Sequence, residues 1–233
     1  MKEEIYRPKN MDIEDIKRAC EMSAQGDHPL EIPICIINEE FRQGLYFISR
    51  YRRSVTIFGS ARSAPESEDY KMAYDLSKKI VEETGYTIVT GGGHGVMGAA
   101  SHGAHDGGGI SVGINIRLPH EQATNQWVTD SITFENFFSR KVVLAYGSEA
   151  YITLPGGFGT LDEIFGILTL RQTDKLCKVP IILFGSKYWN HFIPAIRMLA
   201  EENYISQEDI DMFTVTDDID MVVNMIKNAP VRK

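Results

Sequence analysis

The segment Leu154-Pro155-Gly156-Gly157-Phe158-Gly159-Thr160-Leu161-Asp162-Glu163 has the make-up of an anion cradle. Its three glycines can take backbone conformations closed to other residues, so that several amide N–H groups converge on one point. The helix predicted over 160–173 begins there. A helix N-terminus favours an anion by roughly 0.3–1 kcal/mol when exposed and up to ~2 kcal/mol when partly buried. Thr160 is placed to cap that helix or to give its hydroxyl to a phosphate. No lysine stands at the Walker position, so the loop is not a P-loop. Asp162 and Glu163 fall in the first predicted turn, where acidic side chains complement the dipole. Glu163 follows Gly159 by four residues, about one helical turn, and so shares a face with the loop.

A second glycine run reads Thr90-Gly91-Gly92-Gly93-His94-Gly95-Val96-Met97-Gly98. Gly93, Gly95 and Gly98 spell G-x-G-x-x-G between a strand and a helix. A dinucleotide site also needs an acidic residue where the next strand ends. That strand runs into Arg117-Leu118-Pro119, which argues against NAD. Three consecutive glycines exceed what a tight turn needs, and amides facing an anion account for them better. The third element is Arg140-Lys141, flanked by Phe137, Phe138, Val142, Val143 and Leu144. A cation on so apolar a helix needs a partner, either a carboxylate or a substrate phosphate. His94, His102 and His105 lack a further ligand at metal-binding spacing, so neither a metal nor another cofactor is expected. Trp127, Phe134 and Phe158 have the rings to stack on a base, and Phe158 is the best placed.

These groups must be held by a frame, and the frame is legible from residue 54 onward. Apolar runs at 55–58, 86–90, 110–116, 150–154 and 179–184, with a weaker one at 212–215, alternate with helical stretches at 69–84, 95–106, 137–146, 160–173, 188–202 and 218–227. Strands apolar on both sides imply a parallel α/β sheet covered by helices on both faces. Such a sheet binds ligands beyond the carboxyl ends of its strands, at a topological switch point. Residues 1–53 read as a separate helical extension, with helices over 11–24 and 39–51. Pro29 and Pro33 mark a break between them.

Composition narrows the function classes. The 233 residues carry a formal net charge of −8, which disfavours nucleic acid as a partner without disfavouring a small phosphorylated ligand. No apolar run is long enough to span a bilayer. The first ten residues have no signal-peptide core, and a cytoplasmic location is expected. Cys20, Cys35 and Cys177 form no C-x-x-C and read as idle thiols.

Taken together, Gly91-Gly92-Gly93-x-Gly95-x-Met97-Gly98, Arg140-Lys141 and Pro155-Gly156-Gly157-x-Gly159-Thr160-x-x-Glu163 closely resemble the motifs of the LONELY GUY family. Its members are cytokinin riboside 5′-monophosphate phosphoribohydrolases and AMP-hydrolysing relatives, many once labelled lysine decarboxylases. The resemblance covers about residues 54–200 and, in its Leu118–Gln122 region, is to the longer bacterial type. It implies a Rossmann-like, doubly wound fold and hydrolysis of an N-glycosidic bond to free base and ribose 5-phosphate. It implies Arg140 and Glu163 as the catalytic pair. It further implies substrate contacts at Glu121, Lys141, Gly156, Gly157, Phe158, Gly159, Thr160, Leu161, Asp162 and Thr169, beside the second glycine run at Gly91, Gly92, Gly93, Gly95 and Met97. It also implies a homodimer or higher homo-oligomer with sites near the subunit interface. A non-catalytic nucleotide sensor or carrier is the alternative on this fold.

Overall fold

A computed structural model describes residues 13–23, 31–118 and 123–230. The chain opens with α1 (Ile13–Ser23) and α2 (Glu31–Ser49). The sheet domain then runs β1 (Ser54–Phe58), α3 (Glu68–Thr84), β2 (Thr87–Thr90), α4 (Val96–Asp106), β3 (Ser111–Ile116), β4 (Asp130–Phe134), α5 (Phe137–Tyr146), β5 (Ala150–Thr153), α6 (Phe158–Gln172), β6 (Ile181–Phe184), α7 (Ser186–Trp189), α8 (Ile193–Glu201), α9 (Gln207–Ile210), β7 (Thr214–Thr216) and α10 (Ile219–Lys227).

All seven strands are parallel, in the order β4-β3-β2-β1-β5-β6-β7. The chain winds outward from β1 to β4, then returns to the other side of β1 and winds outward again. The switch point therefore lies between β1 and β5, in register through Val55–Ala150 to Phe58–Thr153. Strand side chains alternate between two cores, as a period of two requires. Val55, Ile57, Ile88, Ile152 and Ile182 pack under α3, α4 and α10. Phe58, Val89, Tyr151, Ile181 and Leu183 pack under α2, α5, α6 and α7. The fold is the expected Rossmann-like doubly wound sheet.

Four expectations are corrected. The α2 helix starts at Glu31 and takes in Pro33, because a proline in a first turn gives up only an N–H that has no intrahelical acceptor. An unexpected edge strand, β4, has just Ile132 and Phe134 as apolar residues, and only Phe134 of the strand is fully buried. The single helix expected over 188–202 is two, α7 and α8, with Pro194 opening the second. Finally, Cys20 and Cys35 are not idle thiols: a disulfide ties α1 to α2, and Cys177 is free and exposed. Among the described residues no helix is long and apolar enough to cross a membrane.

Candidate active site

At the switch point a cleft of about 680 Å³ opens beyond β1 and β5. The loops after β1, β2 and β5 form its rim, which is where this sheet topology puts a ligand. They are bonded to one another: Ser60 N–H donates to Pro155 O at 3.0 Å and Val96 N–H to Ser60 O at 2.9 Å.

The anion cradle is the start of α6. Gly157 is its N-cap, with no side-chain cap, and the first intrahelical bond runs from Leu161 N–H to Gly157 O at 3.0 Å. The amides of Phe158, Gly159 and Thr160 thus lack intrahelical acceptors and head the helix beside the cleft. Thr160 is the third residue of the helix, not its cap, and Asp162 and Glu163 lie beyond its first turn. The glycines work differently from expectation. None of Gly156, Gly157 and Gly159 has positive φ. A Cβ on Gly156 would meet Thr160 Oγ1 at 2.1 Å, whereas Gly157 and Gly159 face nothing within 4 Å and so leave room for a ligand. Tyr188 Oη secures the loop by donating to Gly156 O at 2.5 Å.

Arg140 faces this cradle from α5. Its Nε donates to Ile114 O at 2.9 Å, and its Nη1 stands 3.5 Å from Glu163 Oε1. Both side chains are about nine-tenths buried. Burial raises the Glu163 carboxyl above its usual value, and the nearby charges of Arg140 and Lys141 pull it back in part. The anticipated carboxylate partner of Arg140 is therefore present. Gly91 lies against the guanidinium, where a Cβ would sit 2.4 Å from Nη2, and Met97 completes the wall.

The structure brings Arg140, Glu163, Gly91, Met97 and the stretch Gly157–Leu161 into one cleft. Several expected contacts stand back from it. Lys141 Nζ is engaged by Asp162, reaching its carbonyl and its carboxylate at 2.7 Å each. Gly92 and Gly95 have positive φ and serve the shape of the loop. Gly93 O accepts from Asn125 Nδ2 at 2.9 Å. Thr169 is exposed on α6 and bonds its own helix through Phe165 O. Glu121 lies outside the described residues. Phe137 and Phe138, expected to bury the head of α5, are exposed. Of the candidate stacking rings, Phe134 is fully buried in the core and Trp127 is stacked on His102 at 4.0 Å. Phe158, 93% exposed, stands at the cleft. Among the described residues no group of three His, Cys, Asp or Glu could hold a metal ion.

Sequence reasoning missed Arg62, Asn125 and Tyr188. Arg62 had a signal, since it follows β1 at the switch point. Asn125 straps the glycine loop by donating to Gly92 O and Gly93 O from a segment without any periodic pattern.

Comparison with known proteins places the chain in a family. The family model described as "Possible lysine decarboxylase" matches residues 97–226. Cytokinin riboside 5′-monophosphate phosphoribohydrolase LOG of Oryza sativa subsp. japonica is 33% identical over 162 residues, 69% of this chain and 66% of the rice protein. The enzyme of the same name from Mycobacterium marinum is 33% identical over 141 residues, 58% of this chain and 74% of its own. This chain belongs to the LONELY GUY family. Among solved structures, the molybdenum cofactor binding protein of Rippkaea orientalis superposes with a TM-score of 0.55 at 23% identity, over 75% of this chain and 93% of that one. At that identity the likeness is one of fold.

Proposed function

We propose that this LONELY GUY protein hydrolyses the N-glycosidic bond of a purine nucleoside 5′-monophosphate, AMP or a cytokinin riboside 5′-monophosphate. The observation that carries the reading is the Arg140–Glu163 pair, 3.5 Å apart and buried opposite the open head of α6.

The 5′-phosphate sits on the amides of Phe158, Gly159 and Thr160, where the helix dipole favours it. That anchor puts the ribose beside Glu163. As the bond from C1′ to the base nitrogen breaks, positive charge builds on the sugar ring, as in glycoside hydrolysis. The Glu163 carboxylate stabilises that charge and draws a proton from the attacking water. The water oxygen bonds to C1′, the electron pair of the broken bond leaves with the base, and the base takes up a proton from solvent, to which Glu163 returns the one it drew from water. Arginine stays protonated, so Arg140 orients the substrate and supplies charge rather than a proton. Binding energy spent on the phosphate positions a bond that the phosphate never touches.

Decarboxylation, the chemistry in the family model's description, finds less support. Lys141, the lysine beside the pair, is turned into α6 by Asp162. A nucleotide carrier would have no use for a buried carboxylate aimed at the ribose. A cytoplasmic setting goes with a nucleoside monophosphate substrate, while the Cys20–Cys35 disulfide is of a kind more usual in oxidising compartments; self-association of two or more copies over the exposed face of α5 and α6 is part of the same proposal.

The test is incubation with AMP and with adenosine, followed by chromatography for adenine. AMP should release adenine and ribose 5-phosphate, with adenosine a poor substrate. Equal turnover of the two would remove the phosphate anchor from the account.

A further inference from the structure

The helix that carries Arg140 has no cap of its own. Its N-cap residue, Asn136, makes no side-chain cap bond, and no acidic residue lies in its first turn. A helix start leaves several N–H groups without intrahelical acceptors, and leaving them unmet in the interior is costly. For the N-cap amide of Asn136, and for Glu135 N–H just before it, the acceptor comes from outside the sheet domain. Glu40 of α2 is 2% exposed, and its carboxylate is spread over the head of α5. Its Oε1 accepts from Glu135 N–H at 2.5 Å and Asn136 N–H at 3.4 Å. Its Oε2 accepts from Asn136 Nδ2 at 3.0 Å and Ser139 Oγ at 2.5 Å. Four donors meet one carboxylate, and the next residue in the chain is Arg140.

The surrounding contacts fix the carboxylate in turn. Gly44, one turn along α2, lies so close to β4 and α5 that a Cβ would stand 2.6 Å from both Phe134 Cζ and Val143 Cγ2. At the far end of α5, a Cβ on Gly147 would stand 2.8 Å from Ile48 Cγ1. On the α1 side Lys17 stands 3.7 Å from Glu135, and Arg117 reaches both Glu135 and Glu14. Charged groups thus bracket Glu135, two residues ahead of α5, while Glu40 also bonds the N-cap Asn136 and Ser139 of the first turn.

We infer that Glu40 is a positioning residue: the N-terminal extension serves the reaction by capping α5 from outside, which sets the guanidinium of Arg140 against Glu163. A carboxylate at a helix head complements the dipole and satisfies donors together, and charge-assisted bonds of this kind are the strong ones. The alignment matters because Arg140 must meet Ile114 O and the substrate at once, and a misplacement of about 1 Å can cost on the order of a hundredfold in rate. The inference rests on the phosphoribohydrolase reading for its kinetic readout, while its structural readout is independent of it.

The experiment compares Glu40→Gln and Ser139→Ala with the unaltered protein. Glutamine keeps the length but turns an amide N–H₂ toward donors. Ser139→Ala removes one hydroxyl and leaves the carboxylate in place, so it remains a test if Glu40→Gln does not fold. With AMP, Glu40→Gln should lose about ten- to a hundredfold in kcat with KM changed less than about twofold, because the phosphate is held on α6. Ser139→Ala should lose a few-fold in kcat with the same split. Hydrogen exchange should quicken at the amides of Glu135 and Asn136 in Glu40→Gln and stay unchanged in α6. A folded Glu40→Gln with normal kcat overturns the inference, and so does a Ser139→Ala with no kcat change where Glu40→Gln cannot be made. If the unaltered protein releases no adenine, the functional reading fails. The exchange data then decide alone whether Glu40 caps α5.

Discussion

Glu163 and Asp162 are adjacent acids with opposite circumstances. The Asp162 side chain is 67% exposed and paired with Lys141, whereas that of Glu163 is 11% exposed and faces the cleft. Glu163→Gln is nearly isosteric, so the fold and phosphate binding should survive. It removes the charge that stabilises the ribosyl cation and draws the proton from water, and loss of such participation costs about 10²–10⁴ in rate. Asp162→Asn weakens a half-exposed ion pair worth under about 1 kcal/mol and should change turnover little. Turnover and AMP affinity measured on both variants decide the assignment, and a dead Asp162→Asn beside an active Glu163→Gln would reverse it. The pH profile carries a second prediction. Burial raises the Glu163 carboxyl above its ordinary 4.5, so the protonated, inactive form persists to higher pH than for an exposed glutamate. Activity should therefore fall on the acid side with a midpoint above 4.5, in kcat/KM, which reports the free enzyme. An acid limb at or below the ordinary value would mean that the active carboxylate is a solvated one.

At the scale of elements, what was legible depended on how local the cause was. Strands β1, β2, β3, β5 and β6 could be read because they are buried on both faces, so their apolar runs survive in the bare sequence. The edge strand β4 is made by pairing with β3 from Val112–Asp130 to Ile116–Phe134, and that pairing leaves no comparable trace in Asp130-Ser131-Ile132-Thr133. The pairing of Arg140 with Glu163 was legible as chemistry, since a cation on an apolar helix demands a partner. Which carboxylate answers it could be read only through family motifs, because it depends on two helices separated by β5. The roles of the glycines were half legible. Spacing announces an anion loop, but only the packed backbone distinguishes Gly95, whose Cβ would strike Ser60 O at 2.3 Å, from Gly157, whose missing side chain leaves open space. Glu40 had no signal at all, since its meaning comes from donors some 95 residues away in sequence.

For the whole molecule, the two helices that hold Arg140 and Glu163 also carry an unusual surface. Phe137 and Phe138 on α5 and Phe158 and Phe165 on α6 are all exposed. Single exposed apolar residues are ordinary, but four phenylalanines on two helices joined by the Arg140–Glu163 and Lys141–Asp162 contacts are the surface where self-association is expected. Thr169, one turn beyond Phe165, stands on that side of α6 and outside the cleft of its own chain, so a second copy is the means by which it would approach a site. The expected state is a dimer, with mass twice the 26.2 kDa of the chain, across an interface of roughly 800 Å² per partner. Phe165→Asp places a charge on the face without touching the core, and such a charge left unpaired in an interface costs several kcal/mol. Light scattering should then show the variant at the monomer mass. Its activity should fall together with its dimer fraction, and raising the protein concentration should restore both. An unaltered protein that scatters as a monomer at all working concentrations, or a monomeric Phe165→Asp of full activity, would show that each site is complete within one chain.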